Sequence, residues 1–353
     1  MAITGLALAL YTASKPLQSR LQTLTAQSSS GLIGERFGDI AVGARRSLDL
    51  SAEIARRDTY ATNLARAGAV ATTTQTALGR LATIAKDFLS QSTSLLPGDA
   101  TAVEAVAEQA RQALKEVGAL LNTRSGETYV FGGSDTANPP VPDAADIDSS
   151  GLVTQIRAAV AGLGGGNAAS VLATAKAAAQ SDAAGTTVFS AFLSDPAAGG
   201  SESPRSVPTG DGQSVPYGLF ANRNTAVVSD GETTGSWSRD LLRGLATLSG
   251  LTADKIGESS DFSTLVGSVT DTFRSAVGAL GVEAGVLGDT QARMKTLTTD
   301  HAAVTITLKS QLSDLTEVDM AETLTRLQNT QTQLQSSYQV IAKVSGLTLA
   351  SFL

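Results

Sequence analysis

From Leu265 to Leu353 the chain contains no proline. Proline removes a backbone donor and breaks or kinks a helix, so this whole stretch is free to run as helix. Its apolar residues recur at the matching interval. Val304, Leu308, Leu312, Leu315 and Val318 form one stripe, and Met320, Leu324, Leu327, Leu334, Tyr338 and Ile341 form the next in heptad steps. Gln331 occupies the position where that second stripe lacks an apolar residue, and a polar group in such a seam sets register at some cost in stability. The chain is 4% aromatic and 17% charged, which suits long helices joined along seams better than a compact aromatic core.

The N-terminal end carries a matching stripe of Leu6, Leu10, Ala13, Leu17, Leu21 and Leu24, with Pro16 inside it as an expected kink. Residues 28–46 lose the period, with Gly31, Gly34, Gly38 and Gly43 marking an irregular connection. Helical spacing returns from about Arg45 to Ser94. It stops at Leu96-Pro97-Gly98-Asp99 and resumes over about Ala102–Thr123. Glu127–Gly133 reads as a strand entering a turn. The next stretch is rich in Gly, Pro, Ser and Asp and reads as a small separate domain. It has short helices over Leu152–Leu163 and Ala168–Gln180 and strand or loop pieces near Thr186–Leu193 and Val215–Ala221. A long helical pattern restarts near Ser238.

The expected fold is mainly α: a long antiparallel helical or coiled-coil bundle made from both termini, with a small α/β or irregular middle domain inserted at its tip. Residues 1–44 and 305–353 would form a terminal coiled-coil inner layer. Residues 45–139 and 236–304 would form a helical second layer with a short strand element, and 140–235 a solvent-facing middle domain. Two thin helices cover only one stripe each, yet the C-terminal helix also carries Ala342, Val344, Leu347, Leu349, Phe352 and Leu353 around more than one face. Exposed apolar surface of that extent calls for a partner, and a head-to-tail contact that does not close makes a helical polymer. The expected assembly interface comprises Leu6, Leu10, Leu17, Leu21, Leu24, Met320, Leu324, Leu327, Gln331, Leu334, Tyr338, Ile341, Leu347, Leu349, Phe352 and Leu353.

Catalysis finds no support. No Gly-Lys dipeptide exists for a phosphate loop, and no Gly-x-Ser-x-Gly for a nucleophile elbow. With no cysteine, thiolate metal sites, Cys nucleophiles and disulfides are excluded. His301 is the one histidine and reads as a solvent-facing or seam residue. Gly162–Gly166 follows a helical pattern rather than a strand and reads as a turn. Asp146-Ile-Asp resembles the start of a calcium loop, but Arg157 stands where a bidentate Glu is needed. Asp49, Glu53, Arg56, Arg57 and Asp58 read as a solvated helix face, with pairing between subunits as the alternative. No metal, cofactor or catalytic residue is therefore expected. A net charge of −7 without basic runs disfavours nucleic acid. No apolar run approaches the ~20 residues that span a bilayer. The apolar run of Met1–Leu10 has no Lys or Arg before it, so a cleaved signal peptide is not expected and export would need a dedicated route.

Two C-terminal runs carry a resemblance. Leu315-Thr-Glu-Val-Asp-Met-Ala-Glu-Thr-Leu-Thr-Arg-Leu327, followed by Gln333 through Phe352-Leu353, closely resembles the C-terminal signature of bacterial flagellins and their relatives. Gly126-Glu-Thr-Tyr-Val-Phe-Gly-Gly133 with its following prolines, and Val215-Pro-Tyr-Gly-Leu-Phe-Ala-Asn222, are similar to elements of the hook-filament junction branch (hook-associated protein type three). The usual flagellin patterns near the N-terminus are absent. The resemblance implies a non-enzymatic structural subunit of the flagellum that joins hook to filament. A filament flagellin is the alternative, and a surface adhesion module stands behind both. It further implies self-association, contact with neighbouring hook-associated proteins and flagellin, an export chaperone as a candidate occupant of the C-terminal helix, and an extracellular location reached through the flagellar secretion system.

Overall fold

A computed structural model describes the backbone of residues 2–34, 36, 38, 43–257 and 259–350, with side chains for these except 2–11, 13, 259 and 344–350. The fold is mainly α, as expected. The chain divides into two compact units, one of residues 1–59 and 301–353 and the other of residues 60–300.

In the first unit, α1 (Ala2–Ser30) continues through Pro16 and packs along α9 (Met320–Ala350). After α1 the chain turns at Gly31, whose φ of +73° suits glycine. It then meets the break between α8 (Ser259–Thr316) and α9. Ile33 N donates to Thr316 O at 2.8 Å and Val318 N to Gly31 O at 2.9 Å, closing an antiparallel bridge between Leu32 and Glu317. The break has a local cause. Asp319 caps α9, its carboxylate accepting from Ala321 N at 2.8 Å and Glu322 N at 3.1 Å. These bonds satisfy donors that a new helix leaves open, at the end where its dipole favours an anion. The start of α2 (Ala44–Ser94) also lies in this unit and buries Ser47 and Ile54.

The second unit holds the main core. Along α2, Leu64, Ala71, Leu78, Leu81, Ala85 and Phe88 are buried at steps of three, four or seven residues. Against them comes α8, with Phe88 and Phe273 stacked at 5.9 Å between ring centres and Thr270 Oγ1 donating to Ser92 Oγ at 3.0 Å. Asp99 caps α3 (Ala100–Leu121) through Ala102 N at 2.9 Å, as the Pro-Gly-Asp stop signal implies. A two-residue hairpin follows, β1 (Arg124–Ser125) with β2 (Thr128–Tyr129), turning at Gly126 and Glu127. Asn122 then holds the next loop as a strand neighbour would. Its Nδ2 donates to Val141 O at 2.7 Å and its Oδ1 accepts from Val141 N at 2.9 Å.

The 140–235 stretch shares this core. It contributes a 3-10 turn (Ala144–Ser149), α4 (Gly151–Ala161), α5 (Ala168–Gln180), a single turn α6 (Ala191–Ser194) and an antiparallel hairpin of β3 (Ser206–Gly210) with β4 (Gln213–Pro216). The 3-10 turn packs on α3 and α4, both of these helices pack on α7 (Trp237–Ser249), and α5 packs on both α4 and α7. In the stretch that begins at Asp146-Ile-Asp, Asp148 pairs with Arg157, which also donates to Ser249 Oγ. The Gly162–Gly166 stretch is the turn between α4 and α5. Asp261 fills the exposed donors there, accepting from Gly166 N at 2.7 Å and Ala168 N at 3.3 Å.

Every residue of α7 is buried, so it forms the centre on which the other short helices rest. Gly244 is part of how it fits. A methyl group there would meet Phe273 ring carbons at 2.7–3.1 Å, and Phe273 is itself fully buried against Phe88. Gly244→Ala would gain about 1 kcal/mol of helix propensity but lose about 1–3 kcal/mol to overpacking. The expected result is a lower thermal midpoint, read by circular dichroism. A midpoint at or above wild type would show that Phe273 yields.

Candidate assembly surfaces

In the terminal unit, α1 presents Ser14, Leu17, Leu21 and Leu24 at three- and four-residue steps, with Ser14 and Leu24 buried and the other two half-buried. The facing positions on α9 are Thr323, Leu327, Thr330, Leu334, Ser337 and Ile341, again alternating by four and three. Thr323, Thr330 and Leu334 are the buried members. Half of this stripe is hydroxylated, and Thr330 turns its hydroxyl to Arg326 O at 2.8 Å, removing it from the seam's unmet polar groups. Such small side chains let the two backbones approach closely but bury little apolar area.

The residues expected from the sequence therefore separate into two sets. Leu17, Leu21, Leu24, Leu327, Leu334 and Ile341 lie in the seam between α1 and α9. Met320, Leu324, Gln331 and Tyr338 lie beside it, exposed by 40%, 48% and 45% for the three large apolar members. At ~100° per residue they are displaced by about 60–100° around α9 from the centre of the seam. Gln331 is exposed and does not fill a seam position; the polar groups inside the seam are Thr323 and Thr330. The displacement has a physical cause: the narrower threonine-lined face admits a closer neighbour than the Met-Leu-Tyr face does. Tyr338 is pinned at the rim, its hydroxyl accepting from Gln18 Nε2 at 2.6 Å. Val340, exposed by 49%, was missed by sequence reasoning because it falls outside the heptad steps. The side chains of Leu6, Leu10, Leu347 and Leu349, and Phe352 and Leu353 altogether, lie outside the described residues.

The stripe on α8 places His301, Thr305, Leu308, Leu312 and Leu315 inward, with His301 and Thr305 buried. Val304 is exposed instead, and so is Ile306, by 70%. His301 Nδ1 lies 3.4 Å from Arg57 Nη1. A guanidinium has no acceptor, so a hydrogen bond across this contact needs Nδ1 as the acceptor. Arg57 and Arg56 also hold Glu53, whose carboxyl is kept below its ordinary range first by the Arg56 bond and then by the Arg57 bond. Within the charged cluster Glu53 thus pairs with Arg56 and Arg57 inside the chain, and Asp49 and Asp58 are exposed.

The segments at residues 126–133 and 215–222 meet in space. Ala221 N donates to Phe131 O at 3.0 Å, and Gly132 bridges Phe220. Gly133 has a φ of +63°, and a Cβ there would come within 2.7 Å of the Phe220 ring. Phe131 meets Trp237 edge-on at 6.2 Å. These residues brace the core of the second unit. Among the described residues no cluster of His, Asp or Glu could hold a metal ion, and no helix is long and apolar enough to cross a membrane.

Comparison with known proteins agrees with the C-terminal reading. The family model of the bacterial flagellin C-terminal helical region matches residues 270–353. No curated protein matches the chain. Among solved structures, one described as "putative flagellar hook-associated protein from Vibrio parahaemolyticus" is similar at 12% sequence identity and a TM-score of 0.46, over 78% of this chain and 97% of that one.

Proposed function

We propose that the chain is an exported, non-enzymatic structural subunit of the bacterial flagellum, and that it serves as the adaptor joining hook to filament. The observation that carries this reading is the terminal unit. There, helices from the two ends of the chain share one thin seam, the C-terminal one within the region that matches flagellin C-terminal helices, while Met320, Leu324, Tyr338 and Val340 stay uncovered. Neighbouring copies, hook-associated proteins and flagellin are the partners that would cover them. The inner layer of the assembly is then residues 1–44 and 305–353. Before assembly, an export chaperone on the C-terminal helix would shield the same stripe.

The alternative within the class is a filament flagellin, favoured by the matched C-terminal helix itself. Assembly separates the two. An adaptor stays short or monomeric when purified and attaches to isolated hooks, and its deletion leaves cells with hooks that shed flagellin into the medium. Growth of the purified protein into long filaments on its own would overturn the adaptor reading in favour of flagellin.

A further inference from the structure

The chain contains two Asp-Gly pairs, Asp211-Gly212 and Asp230-Gly231, and no Asn-Gly pair. Glycine has no Cβ, so nothing shields its amide nitrogen from the aspartate carboxyl just before it. Both pairs are exposed, but the fold holds them differently. Asp211-Gly212 is the turn of the β3–β4 hairpin, closed by the pairing of Gly210 with Gln213. The Tyr60 hydroxyl donates to Asp211 Oδ1 at 3.0 Å and ties that carboxylate to α2. Asp230-Gly231 has no such restraint. Among the described residues neither member makes a hydrogen bond or ion pair, and no backbone hydrogen bond holds residues 227–231. Both ends of this stretch are fixed. Before it, Glu283 Oε1 accepts from Thr225 N at 2.6 Å and Ala226 N at 2.9 Å. After it, Glu232 holds the buried Arg243.

We propose that Asp230 is a site of spontaneous isoaspartate formation, and that the hairpin turn protects Asp211 from the same reaction. The Gly231 amide nitrogen attacks Asp230 Cγ. The new C–N bond closes an imide ring, and one carboxylate oxygen leaves as water with the amide proton and a proton from solvent. Water then adds back. At the side-chain carbonyl it restores aspartate. At the main-chain carbonyl it breaks the bond from that carbonyl to nitrogen, and the chain then runs through the side-chain carbons with one methylene more. No oxidant, reductant or cofactor enters. The added methylene falls between two fixed points, so the longer loop no longer matches its Arg243 anchor.

The test is to age the folded full chain at neutral pH in heavy-oxygen water and to measure isoaspartate at each pair by peptide mapping with electron-transfer fragmentation. Asp230 is expected to accumulate isoaspartate carrying one heavy oxygen, about tenfold faster than Asp211, which must first lose its tyrosine bond and open its turn. In denaturing urea the two rates should converge, because glycine follows both aspartates and the fold no longer separates them. The aged chain should also show a lower thermal midpoint. Asp230→Glu would need a larger ring and is expected to keep its midpoint on ageing. Should that variant fail to fold, the ratio of the two sites in folded against urea-treated wild type decides the matter. No isoaspartate at Asp230, product without heavy oxygen, equal or faster reaction at Asp211 in the folded chain, or an equal loss of midpoint in folded Asp230→Glu would overturn the proposal.

Discussion

Replacing Arg243 by methionine is expected to lower the unfolding free energy by about 3–5 kcal/mol, the usual cost of removing one partner from a buried ion pair. Arg243 sits on the fully buried α7 with only 3% of its surface exposed. It donates to Glu232 Oε1 and O, both at 3.0 Å, and to Thr272 Oγ1 at 2.7 Å, and it lies 3.6 Å from Asp240 Oδ1. Methionine matches its stem and fills most of its volume, so the loss isolates the charge. What remains is Asp240, wholly buried and bonded only to Thr233 and Thr234. Equilibrium urea unfolding measures the effect. A change under 1 kcal/mol would mean that α7 is held by packing alone.

The same network has a pH signature of two opposite signs. Burial raises the Asp240 carboxyl above its ordinary value, against the hydrogen bonds that lower it. Glu232 goes the other way: burial raises it, but the Arg243 bond and charge and the nearby Lys176 outweigh this and leave it lowered. A carboxyl raised in the folded state contributes stability that is present below its unfolded pKa and is lost as pH rises through the folded value. A lowered one contributes stability that is present above its unfolded pKa and is lost as pH falls through the folded value. Relative to Asp240→Asn, the wild type should gain stability on mild acidification toward the unfolded carboxylate range near ~4. Relative to Glu232→Gln, it should lose stability below that range. Matching pH slopes for the two comparisons would contradict the assigned shifts.

Long elements were legible because their signals are local. The α2–α3 boundary follows from Leu96-Pro97-Gly98-Asp99, whereas the break before α9, capped by Asp319, lies inside a proline-free stretch that reads as free to run as helix. The centre of the second unit was not legible. α7 carries Arg239, Asp240 and Arg243 within one and a half turns, a pattern that reads as a half-solvated helix. It is buried because Asp182, Glu232 and Thr272, distant in sequence, supply the partners. The same distance hides the role of the 140–235 stretch, whose short alanine-rich helices gain a core only by resting on α7. On α9, counting large apolar residues selects Leu327, Leu334 and Ile341, which pack in the seam, together with Met320, Leu324 and Tyr338 beside it, and it passes over the small Thr323, Thr330 and Ser337 that complete the seam.

That division gives the second large effect. A triple variant, Met320→Gln with Leu324→Gln and Tyr338→Gln, is expected to fold as the wild type does but to assemble poorly. Each of these side chains is about half covered in the single chain, so its further burial is worth about 1 kcal/mol, half the value of a fully buried side chain. Three of them give about 3 kcal/mol, or roughly a hundredfold in the concentration needed for assembly onto hook ends or onto other copies. Surface changes of this kind leave monomer stability within about 0.5 kcal/mol each. Leu334→Ala is the control on the opposite side. It removes a buried seam residue, so its first effect is loss of pairing between α1 and α9, seen as reduced helicity in the free chain before any assembly is measured. If the triple variant assembles at the wild-type concentration while Leu334→Ala does not, the stripe beside the seam has no partner and the seam itself is what the assembly reads.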